Sequence, residues 1–517
     1  MKQVRPVVLV AITFFLSPAV WSQAPPFVVE EATVAQIHAA LNSRRATCAW
    51  IVRGYLDRIE AYDDKGPTLR AIINVNPRAL AIAEAMDRER QPGVAMPPLH
   101  CIPVILKDNF DTADMPTSGA SVTFAKSVPP DDAFVVKRLR EAGAIIIAKA
   151  NLTELALTGV TVSSLGGQTI NPYDLTRTPG GSSGGTGAAI AANFGVLGTG
   201  SDTGQSIRSP SSANSLVGLR PTRGLISRDG IMPFSATQDE IGPMTRTVED
   251  AARMLDVMAG FDAADPITAF STGRIPPSYV SGLDGNALKG ARIGLLSEFM
   301  GTDAIHAPVN HIVEEAVKTM ASRGATVMRV TIPDLPALTR NLTLMALEFQ
   351  PSFNRYLASL GPNAPVKTFA EFMARNEVHP SLRNMLEGYL KITDGPSQPE
   401  YDQQLRRRAA LRQAIMTTIA THRLDALLYP HQRRLVVPIG EDQAERNGVL
   451  SNSTGFPALT FPGGFSPASA DAPIGVPIGL ELLGPEWSEA RLLALAFAFE
   501  QSARPRKPPQ STPPLKR

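Results

Sequence analysis

The stretch Thr178–Pro221, TPGGSSGGTGAAIAANFGVLGTGSDTGQSIRSPSSANSLVGLRP, constrains this chain more than any other. Two Gly/Ser-rich turns flank a small-residue helix and a short apolar run, and glycine supplies the backbone freedom such turns need. A helix over Gly184–Asn193 climbs about 15 Å at ~1.5 Å per residue. The apolar run Gly195–Gly200 returns about 20 Å at ~3.3 Å per residue. If the two lie antiparallel, Ser182 and Ser206 finish at the same end. Serine is a poor nucleophile until a neighbouring base takes its proton. The seven histidines, His38, His100, His306, His311, His379, His422 and His431, are all remote in sequence, which leaves proximity in space open. Lys107 suggests another base, because it follows the strand-like run CIPVIL. A lysine in a dry setting loses its proton through desolvation. The competing reading of Lys107 is a surface cation.

Helix and strand patterns alternate along the chain, which argues for an α/β architecture. Residues 33–63 carry two helical patterns, with Thr47 as N-cap of CAWIVRGYLDRIEAY. An amphipathic helix in 131–143 closes at Gly143 and leads into the buried strand AIIIA. Thr247–Gly260 is a further helix, and residues 261–290 form a long Gly/Pro/Asp-rich connection. Strands follow in ARIGLLSEF, TVMRV and LDALLYP; PALTFPGGF and VPIGLELLG form a strand pair, and SEARLLALAFAFEQ is the last helix. Residues 335–423 are mostly helical with polar breaks. The Pro-rich, basic segment from Ala503 is expected to be disordered.

Of the 517 residues 44% are hydrophobic and 19% charged, enough for a sizeable core. A net charge of +2 and the lack of a basic, aromatic-interleaved patch exclude a nucleic-acid partner. The first residues pair Lys2 and Arg5 with an apolar run, Val7–Trp21, and then Ser22-Gln23-Ala24. That run is too short to span a bilayer and has the layout of a signal peptide over residues 1–24, so a periplasmic or secreted protein is expected. Cleavage after Ala24 leaves Pro25 at the new terminus, so cleavage after Ser22 is a second option; an uncleaved anchor is the competing reading. Cys48 and Cys101 lack metal-ligand spacing. Export permits a disulfide between them without requiring one, and they are read as two buried thiols.

Six blocks, PLHCIPVILKDNFDT, GAIIIAKANLTEL, GGQTINPYD, PGGSSGGTGAA, GTGSDTGQSIRSPSS and GLRPTRGLISRDG, resemble in order the core of the amidase signature enzymes. DALLYP, NSTGFPALTFPGG and PIGLELLGPEWSEARLLALAFAFE resemble the end of the same family. The resemblance covers about residues 30–502. It implies a single large α/β domain over 25–502, a mixed twisted sheet covered by helices on both faces. The catalytic core falls at about 80–260, and the variable helical region that shapes the substrate pocket at about 335–423.

It further implies a Ser–cisSer–Lys triad. Ser206 matches the nucleophile, Ser182 the bridging serine whose peptide with Gly181 is cis, and Lys107 the general base. Backbone N–H groups of Thr203, Gly204, Gln205 and Ser206 are expected to form the oxyanion hole. Ser183 is expected to hydrogen-bond Lys107, while Asp202 and Arg208 hold the loop. The implied reaction is hydrolysis of a linear amide through an acyl-enzyme, with some ester or carbamate cleavage and with no metal or organic cofactor. A small amide or an amidated peptide is the expected substrate, and a monomer or homodimer the expected assembly. Two departures stand out: Gln205 replaces a frequent glycine, and Cys101 another.

Gly180-Gly181-Ser182-Ser183-Gly184 also fits the nucleophile elbow of α/β-hydrolase esterases, but NPYDLTRTP before it is a poor strand. A phosphate loop lacks its Lys-Ser/Thr ending, and no Ser-x-x-Lys tetrad occurs. The A-type component of the glutaminyl-tRNA-forming amidotransferase resembles the same family, and export would separate this chain from cytosolic tRNA and ATP.

Overall fold

Almost every apolar run singled out above lies in one sheet. The structure, a computed structural model, describes residue 3 and residues 27–91 and 93–515. The expected signal peptide, Gln3 apart, lies outside the described residues. The strands are β1 (Ile72–Val75), β2 (Pro103–Lys107), β3 (Ile145–Ala150), β4 (Val162–Ser163), β5 (Gly167–Gln168), β6 (Leu197–Asp202) and β7 (Val217–Arg220). They continue as β8 (Glu240–Thr245), β9 (Arg292–Leu296), β10 (Thr326–Val330), β11 (Ala426–Pro430), β12 (Ala458–Phe465) and β13 (Pro477–Leu483). Eleven of them make a single mixed sheet in the order β1-β3-β2-β6-β8-β7-β12-β13-β11-β9-β10. β4 and β5 form a separate pair.

The parallel pairs β2–β3 and β2–β6 put the carboxyl ends of β2 and β6 on the same edge. Every residue of β2, β3 and β6 is buried, as expected of parallel strands covered on both faces. The helix Gly184–Ala191 packs onto this centre through glycine and alanine. A β-carbon on Gly185 would fall 2.1 Å from the Asn151 carbonyl oxygen, so only glycine permits that approach.

The helices Val34–Asn42 and Cys48–Tyr62 form as expected, and Thr47 accepts from Trp50 N at 3.1 Å. Gly143 ends the helix Phe134–Glu141 region with a φ of 88°. Residues 335–423 are mostly helical and build a second core: Phe353 and Phe372 pack on Phe124, and Phe349 on Phe234, from the main body, with Phe369 packed against Phe349, Phe353 and Phe372.

Two expectations fail. Cys48 and Cys101 are not free thiols but a disulfide, which joins the first turn of helix Cys48–Tyr62 to the approach to β2, with Cα atoms 5.4 Å apart. The described part of the tail is not loose. Buried Arg58 donates to the carbonyls of Thr512 at 2.8 Å and Pro513 at 3.0 Å. Arg506 pairs with Glu31 at 2.7 Å, and Ser511 donates to Pro172 O at 2.6 Å. Proline-rich composition makes no secondary structure, yet its free carbonyls are acceptors for a buried guanidinium.

Candidate active site

Lys107 ends β2 with its whole side chain buried. Its Nζ lies 2.8 Å from Ser182 Oγ and 2.8 Å from Ser201 Oγ, and 3.3 Å from Ser201 O. Burial, the dominant influence, lowers its pKa from 10.5 to about 7, against the opposite pull of the Asp202 and Asp239 charges. A neutral amine in contact with a hydroxyl can draw a proton through it.

Ser182 follows a cis peptide bond from Gly181. Its carbonyl accepts from Thr153 N at 3.1 Å, and Thr161 Oγ1 donates to Gly180 O at 2.7 Å. No strand leads into this turn, so the elbow geometry of an α/β-hydrolase is absent among the described residues. Ser183 N donates to Ser206 O at 3.2 Å, which brings the two serine turns together as the helix-and-return reading anticipates.

Among the described residues, Ser183 makes no hydrogen bond to Lys107. Its hydroxyl donates to Ser201 O at 3.3 Å, and Ser201 supplies the second lysine partner instead. The backbone turn after Ser182 aims Ser183 at the end of β6, one pairing away from β2. Asn109, also outside the expected set, donates to Ser201 Oγ at 3.1 Å. The block LKDN carries it two residues after Lys107, but nothing in sequence marks Ser201 among so many serines.

Across residues 178–220 everything is buried except Gly204, Gln205 and Ser206, which are half-exposed. Each carbonyl of the turn is tied down. Thr203 O accepts from Gln238 at 3.2 Å, Gly204 O from Arg208 at 2.7 Å and from Asn452 at 3.0 Å. Gln205 O accepts from Ser209 N at 2.8 Å, and Ser206 O from Ser183 N. The N–H groups of residues 203–206 have no acceptor among the described residues, so the peptides present their donors together. Such a nest suits a developing oxyanion.

Asp202 and Arg208 hold this turn from below. Arg208 contacts Asp202 at 3.1 Å and Glu481 at 2.8 Å, and Arg220 contacts Asp202 at 3.0 Å. Burial pushes the Asp202 carboxyl up, but Arg208 and Arg220 outweigh it and keep the group well below the usual range. Asp202 Oδ2 also accepts from Ile207 N at 3.1 Å. Glu481 in turn binds Tyr429 at 2.8 Å and His431 at 2.5 Å. Among the described residues no histidine bonds to Lys107, Ser182 or Ser206. Gln205 does not reach into open space, because its Oε1 accepts from Gly448 N at 3.2 Å.

A fully buried lysine joined to a serine after a cis peptide, beside a second serine turn, is the geometry the six sequence blocks imply. The amidase family profile matches residues 50–493, and the chain belongs to this family, the amidase signature enzymes. It is 35% identical to a probable amidase of Arabidopsis thaliana, over 94% of this chain and 92% of that protein. It is also 35% identical to the A-type component of the glutamyl-tRNA(Gln) amidotransferase of Alkaliphilus metalliredigens, over 92% and 96%. Among solved structures it resembles the native peptide amidase of Stenotrophomonas maltophilia, with 37% identity and a TM-score of 0.84 over 93% of this chain and 99% of that one. The protein is an amidase.

Proposed function

We propose that the chain hydrolyses a linear amide, a small amide or an amidated peptide, through an acyl-enzyme on Ser206. The contact of buried Lys107 Nζ with Ser182 Oγ at 2.8 Å carries this reading. Neutral Lys107 draws a proton through Ser182 from Ser206, and Ser206 attacks the amide carbonyl. The N–H groups of residues 203–206 receive the oxyanion. Ser182 returns the proton to the departing amine, and water then cleaves the acyl-enzyme to the carboxylic acid.

The amidotransferase component, equal in identity, is the second reading. The Cys48–Cys101 disulfide favours the first, because disulfides persist in oxidising compartments and are rare in the cytosol. Together with Lys2, Arg5 and the apolar run Val7–Trp21 it supports a periplasmic or secreted protein. The decisive experiment labels the purified chain with a fluorophosphonate and locates the adduct by peptide mass spectrometry. The adduct is expected on Ser206, with ammonia released from simple amides by the chain alone. An adduct on Ser182 with Ser206 unmodified would refute the assignment. Ammonia release only with tRNA and partner proteins would favour the second reading.

A further inference from the structure

Arg446 is a half-buried arginine at the rim of the two serine turns. A β-carbon on Gly159 would fall 2.1 Å from Arg446 Nη1, so the guanidinium lies on the Gly159 backbone. Gly159 in turn abuts the cis turn, since a β-carbon on Gly181 would fall 2.9 Å from Gly159 C. On its other side, Arg446 stands two residues before Gly448, whose N–H is bound by Gln205, the neighbour of Ser206. Its position is therefore bracketed by Gly181-Ser182 and Gln205-Ser206.

The guanidinium has five donors and no acceptor of its own. Among the described residues no hydrogen bond or ion pair reaches the Arg446 side chain. The nearby carboxylates are committed elsewhere: Asp202 to Arg208 and Arg220, and Glu481 to Arg208, Tyr429 and His431. A partly desolvated cation that feels the Asp202 charge only at a distance and has no bonded carboxylate is costly in a resting protein and useful in a complex that supplies one.

We infer that Arg446 is a specificity-determining residue that binds a free carboxylate on the substrate, so that the preferred substrates are amides bearing an anionic group. This inference rests on the amide-hydrolase reading of Ser206. Burial lowers the pKa of Arg446 from 12.5 to about 10, which leaves it charged at neutral pH. The fork of a guanidinium matches both oxygens of a carboxylate, and a lysine offers only a point charge.

The test compares succinic, glutaric and adipic mono-4-nitroanilides with the butyric, valeric and caproic 4-nitroanilides, in which a methyl group replaces the carboxylate. Wild type is expected to favour at least one acid over its neutral match. Arg446→Gln should raise KM for that acid about 10–100-fold, the range of a lost hydrogen bond to a charged group, with kcat little changed. KM for the neutral anilides should move less than about twofold, and Arg446→Lys should recover part of the acid preference. A wild type that prefers the neutral series, or a Gln variant that loses both series equally, overturns the inference. Fluorophosphonate labelling on the same preparations separates the two readings. Ser206 labelled without any carboxylate preference overturns only the role of Arg446; Ser206 unlabelled, with no turnover of either series, overturns the hydrolase reading and this one with it.

Discussion

Lys107 Nζ has only oxygen atoms of Ser182 and Ser201 as hydrogen-bond partners, and among the described residues no carboxylate touches it. Its charge is therefore opposed by burial without a compensating ion pair, and the pKa of about 7 follows. Two consequences follow, one for activity and one for stability. If neutral Lys107 is the base, kcat/KM rises with pH through about 7 and then levels, because the protonated form cannot accept a proton. Lys107→Ala should lower kcat by about 10²–10⁴-fold with the fold retained; wild-type turnover at pH 7 in that variant would exclude the role. For stability, the unfolded lysine titrates near 10.5 and the folded one near 7, so between these values the unfolded chain binds more protons. Stability contributed by this site therefore rises with pH across that window and is lowest below it. Lys107→Met removes the term, so denaturation at pH 6 and pH 9 should show the variant's advantage shrinking at the higher pH. A gap that stays constant would mean that folded Lys107 is not depressed.

At the level of elements, the disulfide has its own measurable effect. Cys48 and Cys101 are 53 residues apart, and closing a loop of that size removes unfolded-state entropy equivalent to about 4 kcal/mol in the chain-entropy picture. The double variant Cys48→Ser/Cys101→Ser should lose about 2–4 kcal/mol in urea denaturation, and dithiothreitol should reproduce the loss in wild type. No loss in either case would show that the cross-link adds nothing to the packing around it. The pairing is illegible in sequence because two cysteines at such a distance make no pattern. β2 and β3 are legible because parallel central strands are continuous apolar runs, and Lys107 stands out against one. β8 is not, because Glu240-Ile241-Gly242-Pro243-Met244-Thr245 mixes a buried acid, a glycine and a proline into a strand. Its neighbours β6 and β7 impose the strand from both sides. Within the site, the motif blocks identify Lys107, Ser182 and Ser206. Ser201 escapes them because its role depends on the pairing of β2 with β6, which no local pattern encodes.

Across the whole molecule, Glu30 and Glu31 meet residues 506–513 at the end of the helix Gly184–Ala191 that lies away from Ser182. The helix Gly184–Ala191 starts beside Ser182 and ends about 12 Å away at ~1.5 Å per residue. At that far end Arg58 binds Ala192 O at 2.8 Å and Asn193 O at 3.0 Å, together with Glu30 and the carbonyls of Thr512 and Pro513. Arg506 reaches Ser215 O at 2.8 Å and Tyr173 Oη at 3.2 Å, and Tyr173 donates to Lys507 O at 2.7 Å. The tail thus satisfies donors of an arginine that is fully buried, and removing it leaves that guanidinium short of acceptors. A chain ending at Ala503 should lose about 3–5 kcal/mol, the range for breaking a buried charged network from one side. Arg58→Met in the truncated chain should restore part of the loss, because the stranded charge goes with it. Neither change touches Lys107, Ser182 or Ser206, so kcat per folded molecule should stay within about twofold of wild type at temperatures below the lowered melting point. Urea denaturation and active-site titration of the truncated chain check both halves. Unchanged stability would mean that residues 504–515 only rest on the surface, and a lost kcat with the fold intact would mean that the far end of the helix sets the position of Ser182.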